Sequence, residues 1–136
     1  MSASLYIVVE GEDPGFDIFV NGRAMARNED VLDKLAERLH VKPLLDFFSA
    51  DENSMALLLE VGAGDPAWAE TLPPPQWFEP NDGLITVCTL LDYLHRDPTA
   101  LGFDTRGVIR ELEEYERVLR KTADRDLRWQ LAVSWM

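Results

Sequence analysis

The 136-residue sequence has little that would cross-link the chain or anchor it in a membrane. Its one cysteine, Cys88, cannot form an internal disulfide, so a stapled secreted scaffold is not indicated. No apolar run approaches the roughly 20 residues that a membrane span needs. The first apolar stretch, Leu5 to Val9, has no basic residue before it and is too short for a signal peptide. These absences predict a cytoplasmic protein.

The residues that bind metals or act as nucleophiles are also scarce. The two histidines, His40 and His95, lie far apart in sequence, whereas a catalytic zinc usually has three protein ligands. Asp51-Glu52-Asn53 lacks the glycine and the closing glutamate of a calcium loop. Cys88 has uncharged sequence neighbours, which favours a buried structural thiol over a nucleophile. We therefore expect no metal, no cofactor and no catalytic cysteine.

His95-Arg96-Asp97 matches the catalytic-loop tripeptide of protein kinases. A kinase also needs a glycine-rich phosphate loop, a paired lysine and a metal-binding asparagine, which the sequence does not provide. A histidine and an arginine at the end of a helix complement its negative dipole. The tripeptide is therefore interpreted as a helix end.

Cations are missing from one long stretch of the chain. Residues 43–95 contain no lysine and no arginine but nine acids, so they carry −9 of the net charge of −12. Such a charge repels nucleic-acid backbones and anionic membranes, and it suits a basic protein partner. The nine acids are Asp46, Asp51, Glu52, Glu60, Asp65, Glu70, Glu79, Asp82 and Asp92.

Aromatic residues lie inside this acidic stretch, close to a run of prolines. Trp68, Trp77 and Phe78 are of the type that supplies interface hot spots, and Glu79 and Asp82 follow them closely. We predict that these five residues form a partner-binding surface. The alternative is that Trp77 and Phe78 fill space between a helix layer and a sheet.

Strand patterns occur at both ends of the chain. Ser4 to Val9 and Phe16 to Val20 read as strands, and Asn21-Gly22 favours a two-residue turn into a return strand, Arg23 to Ala26. At the other end, Leu127 to Trp135 alternates in the manner of a half-buried strand. It is predicted to pair beside the N-terminal strand, with Trp129 and Trp135 in the core or at its edge.

Between these strands, apolar residues recur at helical spacing. The sequence thus predicts one α+β domain over 1–136, with a small, mainly antiparallel sheet of N-terminal strands plus the C-terminal strand and four to five helices packed on it. The predicted helices are one capped by Asn28 and ending near His40, a short one over Leu44 to Phe48, one over Met55 to Val61, one capped by Asp82 and ending before Pro98, and one opened by Asp104 or Thr105.

Two functional classes fit this sequence. One is a non-catalytic interaction protein that binds a basic protein, in the manner of an inhibitor or immunity protein. The alternative is a small hydrolase-type enzyme whose acid–base carboxylates are hidden among 25 acids. A binder should present a broad acidic face, whereas an enzyme should show a concave pocket with a carboxylate of perturbed pKa. The sequence does not indicate an oligomeric state.

Overall fold

A computed structural model describes residues 3–11, 13–49 and 76–135; of residues 134 and 135 it describes the main chain only. In these residues the fold is α+β, as predicted: a two-stranded antiparallel sheet with four helices. The elements in chain order are β1 (Ala3–Val9), α1 (Arg23–Arg27), α2 (Glu29–Arg38), a 3-10 turn (Leu44–Phe47), α3 (Pro80–Arg96), a 3-10 turn (Gly102–Asp104), α4 (Thr105–Asp124) and β2 (Trp129–Trp135).

The sheet joins the two ends of the described chain. β1 pairs antiparallel with β2 along its whole length, from Ala3 opposite Trp135 to Val9 opposite Trp129. Because side chains alternate between the faces of a strand, one face of β1 is apolar and buried against the helices. The predicted C-terminal strand and the buried position of Trp129 are confirmed, while the Trp135 side chain lies outside the described part.

Helices α3 and α4 form the main layer behind the sheet, and their buried stripes meet in the core. At Gly83 the helix approaches the sheet closely, since an added Cβ would lie 2.4 Å from Cζ2 of Trp129. The prediction that Asp82 caps α3 is wrong. Pro80 opens the helix, because a residue without an N–H suits the first position, and Asp82 lies in the first turn.

The predicted hairpin over residues 16–26 is wrong. Residues 16–20 form no strand, and Arg23–Arg27 is helical. Gly22 has φ −122°, so it does not supply a positive-φ turn. A glycine is needed here because the backbone approaches β1 closely: a Cβ on this residue would lie 1.7 Å from the Leu5 carbonyl oxygen. Tertiary contacts from α4, described below, favour the helix over a return strand.

The remaining helix predictions have mixed outcomes. Asn28 holds the N-cap position of α2, but its side chain bonds to Ala24 and Asp104 instead of capping the helix. The short helix after Pro43 and the start of the last helix at Thr105 are confirmed. The helix predicted over Met55 to Val61 lies outside the described residues. No helix within the described ranges is long and apolar enough to cross a membrane.

Candidate functional site

Phe78 belongs to the core of the sheet. Its main chain exchanges two hydrogen bonds with Trp129, with N···O distances of 2.8 and 3.0 Å. Its ring meets Phe47 edge-on at 5.3 Å, and Phe47 stacks on Trp129 at 4.9 Å. The Lys42 ammonium lies 5.4 Å from the centroid of the Phe78 ring. This packing is the space-filling role that the sequence left open for Phe78, and Trp77 beside it is half-buried.

Glu79 lines a polar cavity at the N-terminus of α3. The cavity has a volume of about 410 Å³ and also contains Asp126 and Arg128 in its wall. Arg128 is paired with Glu10 at 2.5 Å, and this hydrogen bond raises the pKa of Arg128, with a smaller contribution from the negative charge of Glu79. Glu79 and Asp82 are both exposed, and the Glu79 carbonyl accepts the indole N–H of Trp129 at 3.2 Å.

The acidic stretch is described only in part. Its four described acids are exposed, and Asp92 pairs with Arg96 at 2.8 Å. Cations from outside the stretch, Lys42 and Arg128, lie beside its residues in space. A segment without cations is therefore not a surface without cations. Trp68 and the five acids between Asp51 and Glu70 lie outside the described residues.

Cys88 is half-buried rather than buried as predicted, and it has charged neighbours in space that its uncharged sequence neighbours do not show. Its thiol donates to Oε2 of Glu116 at 3.3 Å, and Arg120 binds the same carboxylate at 3.4 Å. These groups come from α4, which sequence neighbours could not reveal. Burial raises the pKa of the half-buried Cys88 thiol, and the hydrogen bond to Glu116 raises it further. The thiolate fraction falls accordingly.

Both histidines are exposed at helix ends. His95 and Arg96 form the last turn of α3, which confirms the helix-end interpretation of the tripeptide. His40 follows α2 with φ 58°. In the part of the chain that the structure describes, no group of three or more histidine, cysteine or acidic side chains is placed to hold a metal ion.

A buried carboxylate, Glu111, was not identified from the sequence. It is 7% exposed, and its two oxygens accept the backbone N–H groups of Ala24 at 3.0 Å and Met25 at 2.9 Å. Burial raises the pKa of Glu111, and these hydrogen bonds oppose the shift. Its position next to Leu112 on the inner stripe of α4 was the available signal. It acts as a tertiary cap that holds α1 in place.

The structural criterion for an enzyme is not met by the carboxylates whose pKa is raised. The two oxygens of the Glu111 carboxylate already accept backbone N–H groups. Burial also raises the pKa of Glu29, but Glu29 lines a void of only about 10 Å³, room for about one water molecule. Neither group in the described part thus faces a space that would take a substrate.

A second groove lies beside β1. It has a volume of about 500 Å³ and is bounded by β1 residues on one side and by residues 17–20 on the other. Its lining is largely apolar, and Asp17 is the one charged side chain among the described residues that line it. Phe19 stands at this groove and is 73% exposed, although large apolar side chains usually lie inside.

Comparison with protein-family models, with curated proteins and with solved structures gave no match to this chain.

Proposed function

We propose that this chain is a non-catalytic interaction protein that binds a basic protein through an acidic rim, defined as Glu79, Asp82 and Asp126. The observation that supports the proposal is the polar cavity at the N-terminus of α3. Two distant parts of the chain each bring one exposed carboxylate, Glu79 and Asp126, into its wall. Within the described ranges, none of the three rim carboxylates is in a salt bridge.

Glu79 and Asp126 in the cavity wall, together with Asp82 in the first turn of α3, suit a lysine or arginine side chain of a partner. Exposed ion pairs contribute little affinity, with a median of about 0–1 kcal/mol, so the rim would act mainly on the rate of encounter. The net charge of −12 adds long-range attraction for a basic surface. An inhibitor- or immunity-like protein in the cytoplasm would use such a rim to cover the basic surface of its partner.

The apolar part of this surface is smaller than the sequence indicated. Phe78 is committed to the core, so its removal would alter the fold as well as any interface. Trp77 is half-buried next to Glu79 and remains the aromatic residue with surface to offer. We therefore propose Trp77, Glu79 and Asp82 as the partner contacts, joined by Asp126.

The experiment uses a partner captured from the native lysate, identified and purified. Its association rate is measured by stopped flow at increasing salt with the wild type and with the double variant Glu79→Gln/Asp82→Asn. A matched control, Asp30→Asn/Glu37→Gln on α2, removes the same charge outside the acidic stretch.

The rim variant should slow association several-fold and flatten its salt dependence, because it removes local field, while the control should change it little. Equal rates for the rim variant and the control would contradict the proposal. A captured partner with an acidic contact surface would contradict it as well.

A further inference from the structure

The groove beside β1 meets side chains of the second face of the strand. Because side chains alternate along a strand, Leu5, Ile7 and Val9 are buried in the core and the residues between them point to the opposite face of the sheet. Of these, Tyr6 and Val8 are half-buried and line the groove. Their main chain pairs with β2, so a ligand in the groove would contact their side chains.

The opposite wall, residues 17–20, is fixed by hydrogen bonds. The Arg117 guanidinium donates to the carbonyls of Asp17 at 3.1 Å and Phe19 at 3.3 Å. The Asp17 carboxylate in turn accepts the Phe19 N–H at 2.9 Å. This wall brings the half-buried side chain of Ile18 and the exposed ring of Phe19 to the groove. A wall that is already ordered lowers the entropy cost of binding.

The charge of the groove favours a cation. Asp17 is the one charged side chain among the described residues that line it, and within those residues its carboxylate is in no salt bridge. The aromatic ring of Phe19 also attracts cations to its face. The net charge of −12 adds a field that draws in cations and repels anions.

We propose that this groove binds a small organic cation, an apolar body that carries an ammonium group. The apolar body would pack between Val8, Ile18 and Phe19, and the ammonium group would pair with Asp17. The groove volume of about 500 Å³ lies within the range of about 300–1,000 Å³ for small-molecule sites, whereas a stable protein interface covers about 800 Å² on each partner. This inference does not rest on the acidic rim, since either surface can fail without the other.

The ligands of the test share one ring and differ in charge. Naphthylmethylamine is a cation at neutral pH, naphthylmethanol is neutral and naphthylacetate is an anion. Their dissociation constants are measured by fluorescence titration, and the site is located by NMR shifts of the methyl groups of Val8 and Ile18. The proteins are the wild type, Phe19→Ala and Asp17→Asn. Phe103→Ala and Asp46→Asn are matched controls, which remove an exposed ring and an exposed charge elsewhere.

We expect the amine to bind more tightly than the alcohol and the anion to bind least. Phe19→Ala should weaken binding of the amine about tenfold, as for a hot-spot aromatic. Asp17→Asn keeps the oxygen that accepts the Phe19 N–H, so it should weaken the amine by up to about fivefold and leave the alcohol unchanged. Both controls should keep the wild-type preference for the amine, because they leave the groove intact.

Several results would overturn this inference. They are no saturable binding of the amine, binding that shifts neither the Val8 nor the Ile18 methyl groups, and an amine preference that survives Asp17→Asn. Amine binding lost in the Glu79→Gln/Asp82→Asn variant and kept in Phe19→Ala would place the site at the acidic rim instead. A short valine–lysine peptide that binds the groove more tightly than the amine would assign it to a protein partner.

Discussion

The two edges of the sheet are finished in different ways. On the β2 side, Phe78 exchanges two hydrogen bonds with Trp129, and Ser49 donates to the Leu131 carbonyl at 3.2 Å. On the β1 side, Leu5 is bonded, but the outward groups of Ile7 have no partner in the described chain. Natural proteins usually pair or cover such edges, and this stretch is covered, since Ile7 is 2% exposed.

The aromatic residues beside the two edges differ accordingly. The Phe78 ring packs on Phe47 and completes the core, while the Phe19 ring is 73% exposed above a groove. An aromatic residue thus closes one edge and stands free at the other. The comparison teaches that hydrogen bonding of the neighbouring main chain, rather than residue type, separates the aromatic residue that packs in the core from the exposed one.

The closed edge depends most on Trp129. The side chain is fully buried, stacks on Phe47 and contacts α3 at Gly83. Trp129→Ala should lower the free energy of unfolding by about 3–5 kcal/mol, because it leaves a large cavity. Urea unfolding followed by circular dichroism measures this loss. Trp77→Ala, at a half-buried position, is the control and should cost clearly less; equal costs would show that Trp129 is not central.

The position of α1 depends on Glu111. Glu111→Gln keeps one acceptor oxygen but places an amide N–H against a backbone N–H, at Ala24 or Met25. An unsatisfied buried donor costs about 1–3 kcal/mol, so the variant should be less stable by that amount. Glu113→Gln, on an exposed position of the same helix, is the control and should have little effect. A stable Glu111→Gln variant would show that α1 does not depend on this cap.

The pH dependence of Glu111 has a definite sign. Because its pKa is raised above the ordinary 4.5, the folded protein holds this proton more tightly than the unfolded chain. Its contribution to stability is full below 4.5 and falls as the pH rises through the raised folded-state pKa. The stability advantage of the wild type over Glu111→Gln should therefore shrink with pH in this window. Unfolding of both proteins over a pH series measures it, and an advantage that grows with pH would contradict it.

A matched pair of variants compares the two edges directly. Phe78→Ala removes a half-buried ring from the core and should cost about 1 kcal/mol, below the roughly 1.5–3 kcal/mol for fully burying such a side chain. Phe19→Ala removes an exposed ring and should change stability by less than about 0.5 kcal/mol. The difference in unfolding free energy between the two variants is the measurement. A reversed order would mean that the roles assigned to the two aromatics are exchanged.

The regular elements of the fold could be predicted from the sequence because their signals are local. Alternation over Leu127 to Trp135 and the stripe that includes Val108 and Tyr115 each fix which face is buried. The pairing of the two terminal strands followed from the need to bury their apolar faces together. The same signals predicted the α+β class.

The parts that could not be predicted depend on contacts distant in sequence. Asn21-Gly22 has the composition of a hairpin turn, but the carboxylate of Glu111 stabilises a helix after it. The thiol of Cys88 meets Glu116 only because α3 packs on α4. The groove beside Phe19 lies where the hairpin was predicted, because residues 16–20 form no strand beside β1.

The central claim is that no main-chain hydrogen bond within the described ranges closes the β1 edge at Ile7, whereas the β2 edge is hydrogen-bonded at Phe78. Residue-resolved hydrogen exchange of the free protein, measured by NMR, tests it most directly. The Trp129 amide, bonded to Phe78, and the Leu5 amide, bonded to Gly22, should be protected. The Ile7 amide should exchange about 100-fold faster or more, because no acceptor in the described ranges bonds to it. An Ile7 amide as protected as that of Trp129 would show that the β1 edge is already closed.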